Sequence, residues 1–268
     1  MSAARLEIVQ TRDQGESLGR FRNVRQVFER KGAEPLVAIE DISFDLARGT
    51  LVSLLGPSGC GKTTFLKIVA GLGRATGGLV EVRGEIVTGP HRDFGFVFQQ
   101  PNLMPWRTVL ANVLFPMEIA GRTGAEAAGR ARELLSLTGL TGFEGYYPSQ
   151  LSGGMQQRAA LCRALVHQPT LLLMDEPFGA LDELTRMEMH ALLLKVRATT
   201  GTTVMFVTHS VSEAIYLSDA VVVFSKRPAL IADYIEVDIA YPRGPEIRFS
   251  GRFTEFAHRA SRALGMAR

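Results

Sequence analysis

The sequence predicts an α/β fold in which a mainly parallel sheet is flanked by helices and interrupted by an inserted helical lobe. Three short apolar runs, at residues 171–174, 203–207 and 220–224, are continuous rather than alternating, as is typical of strands buried on both faces. Between about residues 100 and 160 the strand signals vanish and helical patterns take over, which predicts the inserted lobe.

The individual elements follow from short patterns along the chain. The runs FRNVRQVF, LVAIEDISFDL and LVSLL are apolar and separated by turns, which predicts strands, and KTTFLKIVAGL then predicts a helix. In the inserted lobe, RTVLANVLFPMEIAG, GAEAAGRARELLSLTG and MQQRAALCRALVHQ predict helices. The lobe therefore stands between two groups of strands.

Both ends of the chain are expected to lie outside the main domain, which covers residues 19–240. Residues 1–18 are polar and predict a flexible extension. Residues 241–268 form a tail, in which YPRGPEIRFSG breaks the pattern before apolar side chains recur at helical spacing in 252–264. We expect this helix to pack on its own domain, with docking to a partner or a lipid surface as the alternative.

Composition excludes several classes of function. Of the 268 residues 46% are apolar and 21% charged, and no apolar run approaches the ~18 residues of a membrane span. The net charge is only +3 and the 30 basic side chains are scattered, whereas a nucleic-acid surface needs clustered cations. The N-terminus lacks a secretory apolar core, and two cysteines are too few for a disulfide framework. We expect a soluble cytosolic protein that does not bind nucleic acid.

The stretch GPSGCGKTT predicts a phosphate-binding loop. It matches G-x-x-x-x-G-K-[ST], follows the apolar run LVSLL and opens a helix, which is the context that the motif requires. The glycines let backbone N–H groups face phosphates, Lys62 reaches the β and γ oxygens, and Thr63 offers a hydroxyl to Mg²⁺. The predicted loop consists of Gly56, Pro57, Ser58, Gly59, Cys60, Gly61, Lys62, Thr63 and Thr64.

A second chemical signal stands at the end of a buried strand. The run LLLMDEP ends in Asp175 and Glu176, and carboxylates in such a place are costly unless a cation or a reaction uses them. Parallel sheets bind ligands at the carboxyl ends of their strands. Asp175 is therefore predicted to serve the Mg²⁺ shell, and Glu176 to polarise a water for attack on the γ-phosphate.

Two further polar residues follow apolar strands. His209 stands shortly after TVMFV and directly before Ser210, which with Glu213 has the spacing of a helix capping box. This places His209 at the same sheet edge as the phosphates. Gln99 follows FGFVF where the helical lobe begins, although a glutamine after a strand is common and predicts little alone.

The stretch LSGGMQQR, residues 151–158, sets two adjacent glycines before a strong helical segment. Each glycine costs a helix roughly 1 kcal/mol relative to alanine. Bare N–H groups at a helix start, however, lie at the positive end of the helix dipole and favour an anion. An anion contact is therefore predicted at Ser152, Gly153 and Gly154, without any indication of which molecule carries the anion.

In this order, the motifs resemble the nucleotide-binding subunit of ATP-binding cassette (ABC) transporters, over roughly residues 20–240. LSGGMQ is the most specific element, because it is the signature of that family. The resemblance implies a P-loop NTPase core with an antiparallel β subdomain and an inserted helical subdomain at about 100–160. It also implies an ATPase that uses ATP and Mg²⁺.

The resemblance further assigns roles to single residues. It implies that Gln99 is the lid glutamine of the Mg²⁺ site, that Asp182 in GALD lies on a loop crossing between protomers, and that His209 is the switch histidine. Phe28 stands where the family expects an aromatic side chain, commonly tyrosine, to stack on adenine. Without the family, Phe28 is a core strand residue. Cys60 is a spacer in its loop rather than a reactive thiol.

Partners are also implied by the resemblance. A second ABC ATPase subunit, identical or related, would lie head to tail, so that Ser152, Gly153 and Gly154 close on the γ-phosphate held by the other chain. Residues 99–113 and the stretch SKRPALIADYIEVDIAYPRG resemble import subunits of the nitrate, sulfonate and taurine type. Trp106 would then lie in a groove that receives a short helix of the permease, with packing inside the lobe as the alternative.

The resulting prediction is a peripheral ATPase at the cytoplasmic face of the inner (plasma) membrane. It would energise import of a small solute through an integral membrane permease, supplied indirectly by a periplasmic or extracellular solute-binding protein. An importer for another solute class is the first alternative, and a soluble, non-transport cassette ATPase is the second. A P-loop kinase or GTPase is disfavoured, because no guanine-specificity motif or acceptor lid stands beside the signature. The predicted catalytic residues are Lys62, Gln99, Glu176 and His209.

Overall fold

The structure, a computed structural model, describes residues 17–266 of the chain. These residues divide into two units. The first contains residues 17–91 and 206–266, and the second contains residues 92–205.

The described residues form ten strands and seven α-helices. The strands are β1 (Ser17–Phe28), β2 (Leu36–Ala47), β3 (Leu51–Leu55), β4 (Gly77–Val82), β5 (Glu85–Ile86), β6 (Phe94–Val97), β7 (Leu171–Asp175), β8 (Thr203–Thr208), β9 (Ala220–Phe224) and β10 (Ala229–Glu236). The helices are α1 (Lys62–Val69), α2 (Val109–Ile119), α3 (Ala125–Leu137), α4 (Gly153–Leu165), α5 (Glu183–Thr200), α6 (Val211–Leu217) and α7 (Gly251–Ala263). Two short 3₁₀ helices cover Pro148–Gln150 and Pro245–Phe249.

The chain enters the fold earlier than the sequence predicts. Strand β1 pairs antiparallel with β2 and already has Ser17 opposite Ala47. Leu18 is fully buried beneath this pair, and that burial favours a strand over a flexible segment. The last two residues of the extension predicted over 1–18 therefore belong to β1. Residues 1–16 of that extension lie outside the described residues.

The first unit is built on a mixed sheet, as the sequence predicts. Its strands lie in the order β5-β4-β1-β2-β10-β9-β3. Strands β5, β4, β1 and β2 pair antiparallel and form the antiparallel part. Strand β9 pairs parallel with β3, β10 pairs parallel with β2, and β10 and β9 pair antiparallel. Strands β3 and β9 are buried at every residue, as a continuous apolar run predicts.

A cluster of phenylalanines fixes helix α1 on this sheet. Phe65 of α1 lies 5.2 Å from Phe21 and 5.7 Å from Phe44 between ring centroids, and 6.0 Å from Phe224. All four rings are fully buried. Such aromatic pairs contribute beyond their buried area, so the first turn of α1 is held firmly against the strands.

The second unit holds the parallel pair β6 and β7 together with helices α2 to α5. Phe94 pairs with Leu171 and Val97 with Met174, so both strands end at the same edge. The helices predicted in the inserted lobe are α2, α3 and α4. Buried Asn112 on α2 organises the preceding loop, because its amide donates to the carbonyls of Met104, Arg107 and Thr108.

The C-terminal segment packs on the first unit. Helix α7 contacts α6 and β10, and it buries Phe253, Phe256 and Ala260, three of the positions whose spacing predicts this helix. The expectation that this helix packs on its own domain is therefore confirmed. In the part of the chain that the structure describes, no helix combines the length and the apolarity needed to cross a membrane.

Arg243 joins this segment to helix α6. The side chain is 6% exposed, and its Nη1 donates to the carbonyls of Ile215, Tyr216 and Ser218 at 2.9–3.0 Å. Its Nε and Nη2 donate to the carbonyl of Ile239. A guanidinium at this place satisfies the last carbonyls of α6 and complements the negative end of its dipole.

Candidate functional site

The predicted phosphate-binding loop connects β3 to α1. Helix α1 begins at Lys62, and the residue before it, Gly61, has φ of +124°. Lys62 is buried, and its Nζ donates to the carbonyl of Gly56 at 2.7 Å and to that of Pro57 at 3.0 Å. The lysine therefore points into its own loop, where it lies next to the backbone that would face a phosphate.

The space around the loop requires the glycines of the motif. A Cβ on Gly56 would lie 2.9 Å from Sγ of Cys60 and 3.0 Å from Cβ of Phe224, closer than side chains tolerate. Gly59 and Gly61 both have positive φ, which disfavours any other residue. A bare, curved backbone that ends in a helix N-terminus and a lysine fits a polyphosphate.

Cys60 is a buried residue of this loop. It is 2% exposed, and burial raises the pKa of its thiol above the ordinary value, although the nearby Lys62 ammonium opposes this shift. The thiol is therefore protonated at neutral pH. This state agrees with the spacer role predicted for Cys60.

The two predicted carboxylates end the parallel strand β7. Asp175 is its last residue, and Glu176 follows with φ of +44°. Non-glycine residues rarely adopt this left-handed conformation, which costs of order 1–3 kcal/mol and is concentrated at functional sites. The reversal turns the chain sharply directly after the buried strand.

Gln99 and Glu176 converge on Gly179. A Cβ on Gly179 would lie 3.7 Å from Nε2 of Gln99 and 4.0 Å from Oε2 of Glu176. The parallel register of β6 and β7 explains this, because Gln99 and Glu176 follow strands that end at one edge. The structure thus brings together two residues that lie far apart in the sequence.

The glycines of LSGGMQ stand at the start of helix α4, as predicted. Ser152 is the N-cap residue, and its hydroxyl accepts from the N–H of Met155 at 3.3 Å. Ser152 and Gly153 are exposed, whereas Gly154 is buried. The N-terminus of α4 is therefore open to solvent and suited to an anion.

Asp182 lies next to this helix start. It caps α5 by accepting from the N–H of Thr185 at 3.0 Å and from its hydroxyl at 2.6 Å. These hydrogen bonds lower the pKa of the Asp182 carboxyl. Gly154 packs against the methyl of Thr185, so the second unit places GALD beside LSGGMQ.

This packing allows a test with two adjacent glycines. A Cβ on Gly154 would lie 2.7 Å from Cγ2 of Thr185, whereas at Gly153 the nearest atom, Cδ2 of Leu181, is 4.0 Å away. We expect Gly154→Ala to lower the free energy of unfolding by about 1–3 kcal/mol. Gly153→Ala is the matched control and should leave the free energy of unfolding unchanged or slightly raised. Urea denaturation of both variants measures these free energies. Equal losses in the two variants would contradict the tight packing of Gly154 against Thr185.

Two side chains of α4 hold the segment that contains Gln99. Buried Gln157 donates to the carbonyl of Phe98 at 3.2 Å. Arg163 donates to the carbonyls of Pro101 and Asn102, each at 2.7 Å. Helix α4, which begins at the signature, is therefore hydrogen-bonded to the backbone before and after Gln99. Sequence reasoning missed both contacts, because a polar residue inside a helix does not indicate its distant partner.

His209 lies directly after β8 and before helix α6 in the first unit. The hydroxyl of Ser210 caps α6 by accepting from the N–H of Glu213 at 3.3 Å, as its spacing predicts. Thr208 completes the turn, since its hydroxyl bonds the carboxylate of Glu213 and accepts from the N–H of Ser210 at 2.9 Å. This network fixes the backbone on both sides of His209, whose side chain is exposed.

The end of α6 is also tied to β3, the strand that leads into the phosphate loop. The buried hydroxyls of Ser53 and Ser218 lie 2.5 Å apart. Asp219 accepts from the N–H of Leu51 at 2.7 Å. The helix that follows His209 is therefore anchored on the strand that precedes Gly56.

Two aromatic residues singled out by the sequence are exposed. Phe28 is the last residue of β1 and is 44% exposed, which contradicts the alternative of a core residue. Trp106 is 74% exposed, which contradicts the alternative that it packs the lobe. Large exposed aromatic side chains are suited to stacking or to a partner surface.

The predicted Mg²⁺ ligands are a hydroxyl, a carboxylate and an amide, on Thr63, Asp175 and Gln99. These are the oxygen donors that Mg²⁺ takes together with substrate phosphates and water. Among residues 17–266, no group of three or more histidine, cysteine, aspartate or glutamate side chains is arranged to hold a metal. The predicted set relies on other donors and stays a prediction.

Comparison with known proteins agrees with these features. The family model described as ABC transporter matches residues 39–179. The chain is 45% identical to an uncharacterized ABC transporter ATP-binding protein of Methanocaldococcus jannaschii, over 92% of this chain and 91% of that protein. It is 44% identical to the taurine import ATP-binding protein TauB of Pelagibacter ubique, over 78% and 79%. It is 43% identical to the aliphatic sulfonates import ATP-binding protein SsuB of Bacillus thuringiensis, over 76% and 80%.

A solved structure is also similar. It is the dimeric structure of a post-hydrolysis state of an ATP-binding cassette bound to ADP and Pi. The two chains superpose with a TM-score of 0.73 at 32% identity, over 83% of this chain and all of the other. This similarity extends the match well beyond the residues of the family model.

Proposed function

This chain belongs to the ABC transporter family and hydrolyses ATP with Mg²⁺, and we propose that it powers import of a small sulfonate-like solute through a membrane permease. The observation that carries the proposal is the exposed N-terminus of α4, where Ser152 and Gly153 present the family signature. Relatives named for taurine and aliphatic sulfonate import support the solute class.

In this proposal the phosphates of ATP lie on residues 56–64. Lys62 would neutralise the β and γ oxygens. Thr63, Asp175 and Gln99 would hold Mg²⁺, which would supply electrostatic stabilisation of the phosphates. Glu176 orients or deprotonates the attacking water, and His209 contacts the γ-phosphate. Gln99, the lid glutamine, and Glu176, the proposed base, both lie next to Gly179, and this supports placing the two in one site.

ATP would bridge two subunits. The helix dipole and free N–H groups of Ser152, Gly153 and Gly154 favour the γ-phosphate bound by a second copy, and Asp182 lies beside them. Because the contact exists only when the triphosphate is bound, ATP shifts the pair towards the closed dimer. Loss of phosphate reverses this shift. The dimeric cassette with ADP and Pi supports this arrangement.

The second unit would receive the permease. Exposed Trp106 lies on the loop that buried Asn112 organises, so the backbone that carries it is held before a partner binds. An exposed aromatic side chain on an ordered loop is suited to an interface. The chain would then lie at the cytoplasmic face of the membrane, and a separate solute-binding protein would deliver the cargo.

Reconstitution tests the function. We expect the chain, extracted from membranes in mild detergent, to co-purify with an integral membrane protein. Liposomes that contain both proteins should take up labelled taurine when ATP is supplied on the side of this subunit and the solute-binding protein on the opposite side. The same liposomes with Lys62→Met should not take it up, because the variant lacks the charge that neutralises the phosphates.

The competing functions predict other results. Uptake of nitrate or another solute in place of taurine would contradict the sulfonate class while retaining import. Co-purification with RNA or DNA and without a membrane protein would favour the soluble cassette ATPase. Uptake of taurine by Lys62→Met at the wild-type rate would contradict the role of the phosphate loop.

A further inference from the structure

We propose that Arg227, on the turn between β9 and β10, is a positioning residue of the nucleotide site. Its guanidinium holds the carbonyl of Gly59 and thereby fixes backbone that faces the phosphates. This inference rests on the proposed role of residues 56–64 as the phosphate-binding loop.

The loop lies along the β9–β10 hairpin. A Cβ on Gly56 would lie 3.0 Å from Cβ of Phe224, the last residue of β9. A Cβ on Gly61 would lie 3.6 Å from Cβ of Ala229, the first residue of β10. Both ends of the loop thus rest on residues that flank the turn, and the hairpin supports the phosphate site from one side.

Arg227 provides the contact between these two points. Its Nε donates to the carbonyl of Gly59 at 3.0 Å and its Nη2 donates to the same oxygen at 2.5 Å. Hydrogen bonds from a charged donor are roughly twice as strong as neutral ones. Two of them on a single acceptor restrain both the position and the direction of that carbonyl.

The consequence for phosphate binding follows from the planar peptide unit. The carbonyl of Gly59 and the N–H of Cys60 belong to one rigid plane, so fixing the oxygen also fixes the N–H. That N–H makes only a long bond, 3.3 Å, to the carbonyl of Pro57. It belongs to the group of backbone donors from which such a loop takes its affinity.

The turn that carries Arg227 is itself ordered. The hydroxyl of Ser225 accepts from the N–H of Leu230 at 2.9 Å and donates to the carbonyl of Lys226 at 2.9 Å. The N–H of Ser225 also donates to the carbonyl of Leu230. The guanidinium therefore starts from a fixed backbone, and its bond to the loop requires no further ordering of the turn.

The flexibility of the loop makes such a restraint useful. Gly59 has φ of +73° and loses more conformational freedom on ordering than any other residue type. A restraint that is present before binding reduces the entropy lost when the nucleotide binds. Arg227 is exposed, so its contribution should concern nucleotide affinity rather than the stability of the fold.

Calorimetric titration of the full chain with ADP tests this proposal. ADP lacks the γ-phosphate, so its binding reports on the loop without requiring the second subunit. We expect Arg227→Ala to raise the dissociation constant of ADP roughly five- to tenfold. The KM for ATP should rise similarly with kcat within about twofold, as when binding is lost equally from ground and transition states. The unfolding temperature should not change.

Two further variants separate the contact from the charge. Lys226→Ala removes one positive charge from the neighbouring exposed position and is expected to bind ADP like the wild type. Arg227→Lys keeps the charge but loses the forked donor geometry, and it should restore only part of the affinity. If Arg227→Ala binds ADP no more weakly than Lys226→Ala does, the proposal is wrong.

A parallel variant distinguishes failure of this inference from failure of the proposed loop. Lys62→Met should bind ADP much more weakly if residues 56–64 hold the phosphates. Normal ADP binding by Lys62→Met would overturn the loop assignment and the inference with it. Weak binding by Lys62→Met, together with unchanged binding by Arg227→Ala, would overturn only the role of Arg227.

Discussion

Glu176→Gln is expected to bind ATP normally and to hydrolyse it at least about a hundredfold more slowly than the wild-type chain. Glu176 follows β7 in a left-handed conformation, and its carboxylate lies beside Gly179 together with the amide of Gln99. A glutamine cannot take a proton from the attacking water but keeps the size and polarity of the side chain. Phosphate release measures hydrolysis, and titration with ATP measures binding.

The same variant should reveal the dimer. Because ATP is bound but not consumed, the bridge between two subunits persists, and size-exclusion chromatography with ATP should show a dimer. Glu133→Gln is the matched control, since it makes the same chemical change at an exposed carboxylate on α3 that pairs with Arg130 at 3.5 Å. It should hydrolyse ATP like the wild type. Rapid hydrolysis by Glu176→Gln would refute the assigned base.

The parts of the site that could be located from the sequence are those whose geometry is determined by a few consecutive residues. The loop that ends at Gly61, the strand that ends at Asp175 and the cap at Ser210 each depend on local backbone geometry. A short pattern therefore contains the information needed to place them. The same holds for β9, whose continuous apolar run predicts full burial.

Strands with mixed burial were harder to predict. Strand β10 alternates buried, half-buried and exposed residues without a strict period, and β5 has only two residues, both exposed. Strand β5 pairs with the preceding β4, and β10 pairs with the preceding β9 and with the distant β2. Pairing between strands, rather than a local apolar pattern, therefore determines these elements.

The supporting contacts of the site could not be predicted, because their partners are far apart in sequence. Arg227 lies 168 positions from Gly59, and Gln157 lies 59 positions from Phe98. Each is a polar residue whose sequence context is ordinary. Only the folded arrangement shows that one holds the phosphate loop and the other holds the segment of Gln99.

Arg243→Met is expected to lower the free energy of unfolding by about 3–5 kcal/mol. The side chain is buried and donates to four main-chain carbonyls, those of Ile215, Tyr216, Ser218 and Ile239. Methionine fills a similar volume but donates no hydrogen bond, so these carbonyls lose their guanidinium partner in a region closed to water. At about 2–4 °C per kcal/mol for a chain of this size, the unfolding temperature should fall by about 6–20 °C.

Two comparisons test whether the loss arises from the buried hydrogen bonds. Arg252→Met removes an arginine of the same segment that is exposed and pairs with Asp238 and Glu255, so the unfolding temperature should hardly change. Tyr216→Phe removes one hydroxyl, which donates to the carbonyl of Arg243 at 2.8 Å, and should cost about 1 kcal/mol. Differential scanning calorimetry ranks the three variants by unfolding temperature, and we expect the largest fall for Arg243→Met. An Arg243→Met protein as stable as Arg252→Met would mean that α6 does not depend on this residue, since the carbonyls at its C-terminus would then have found other partners.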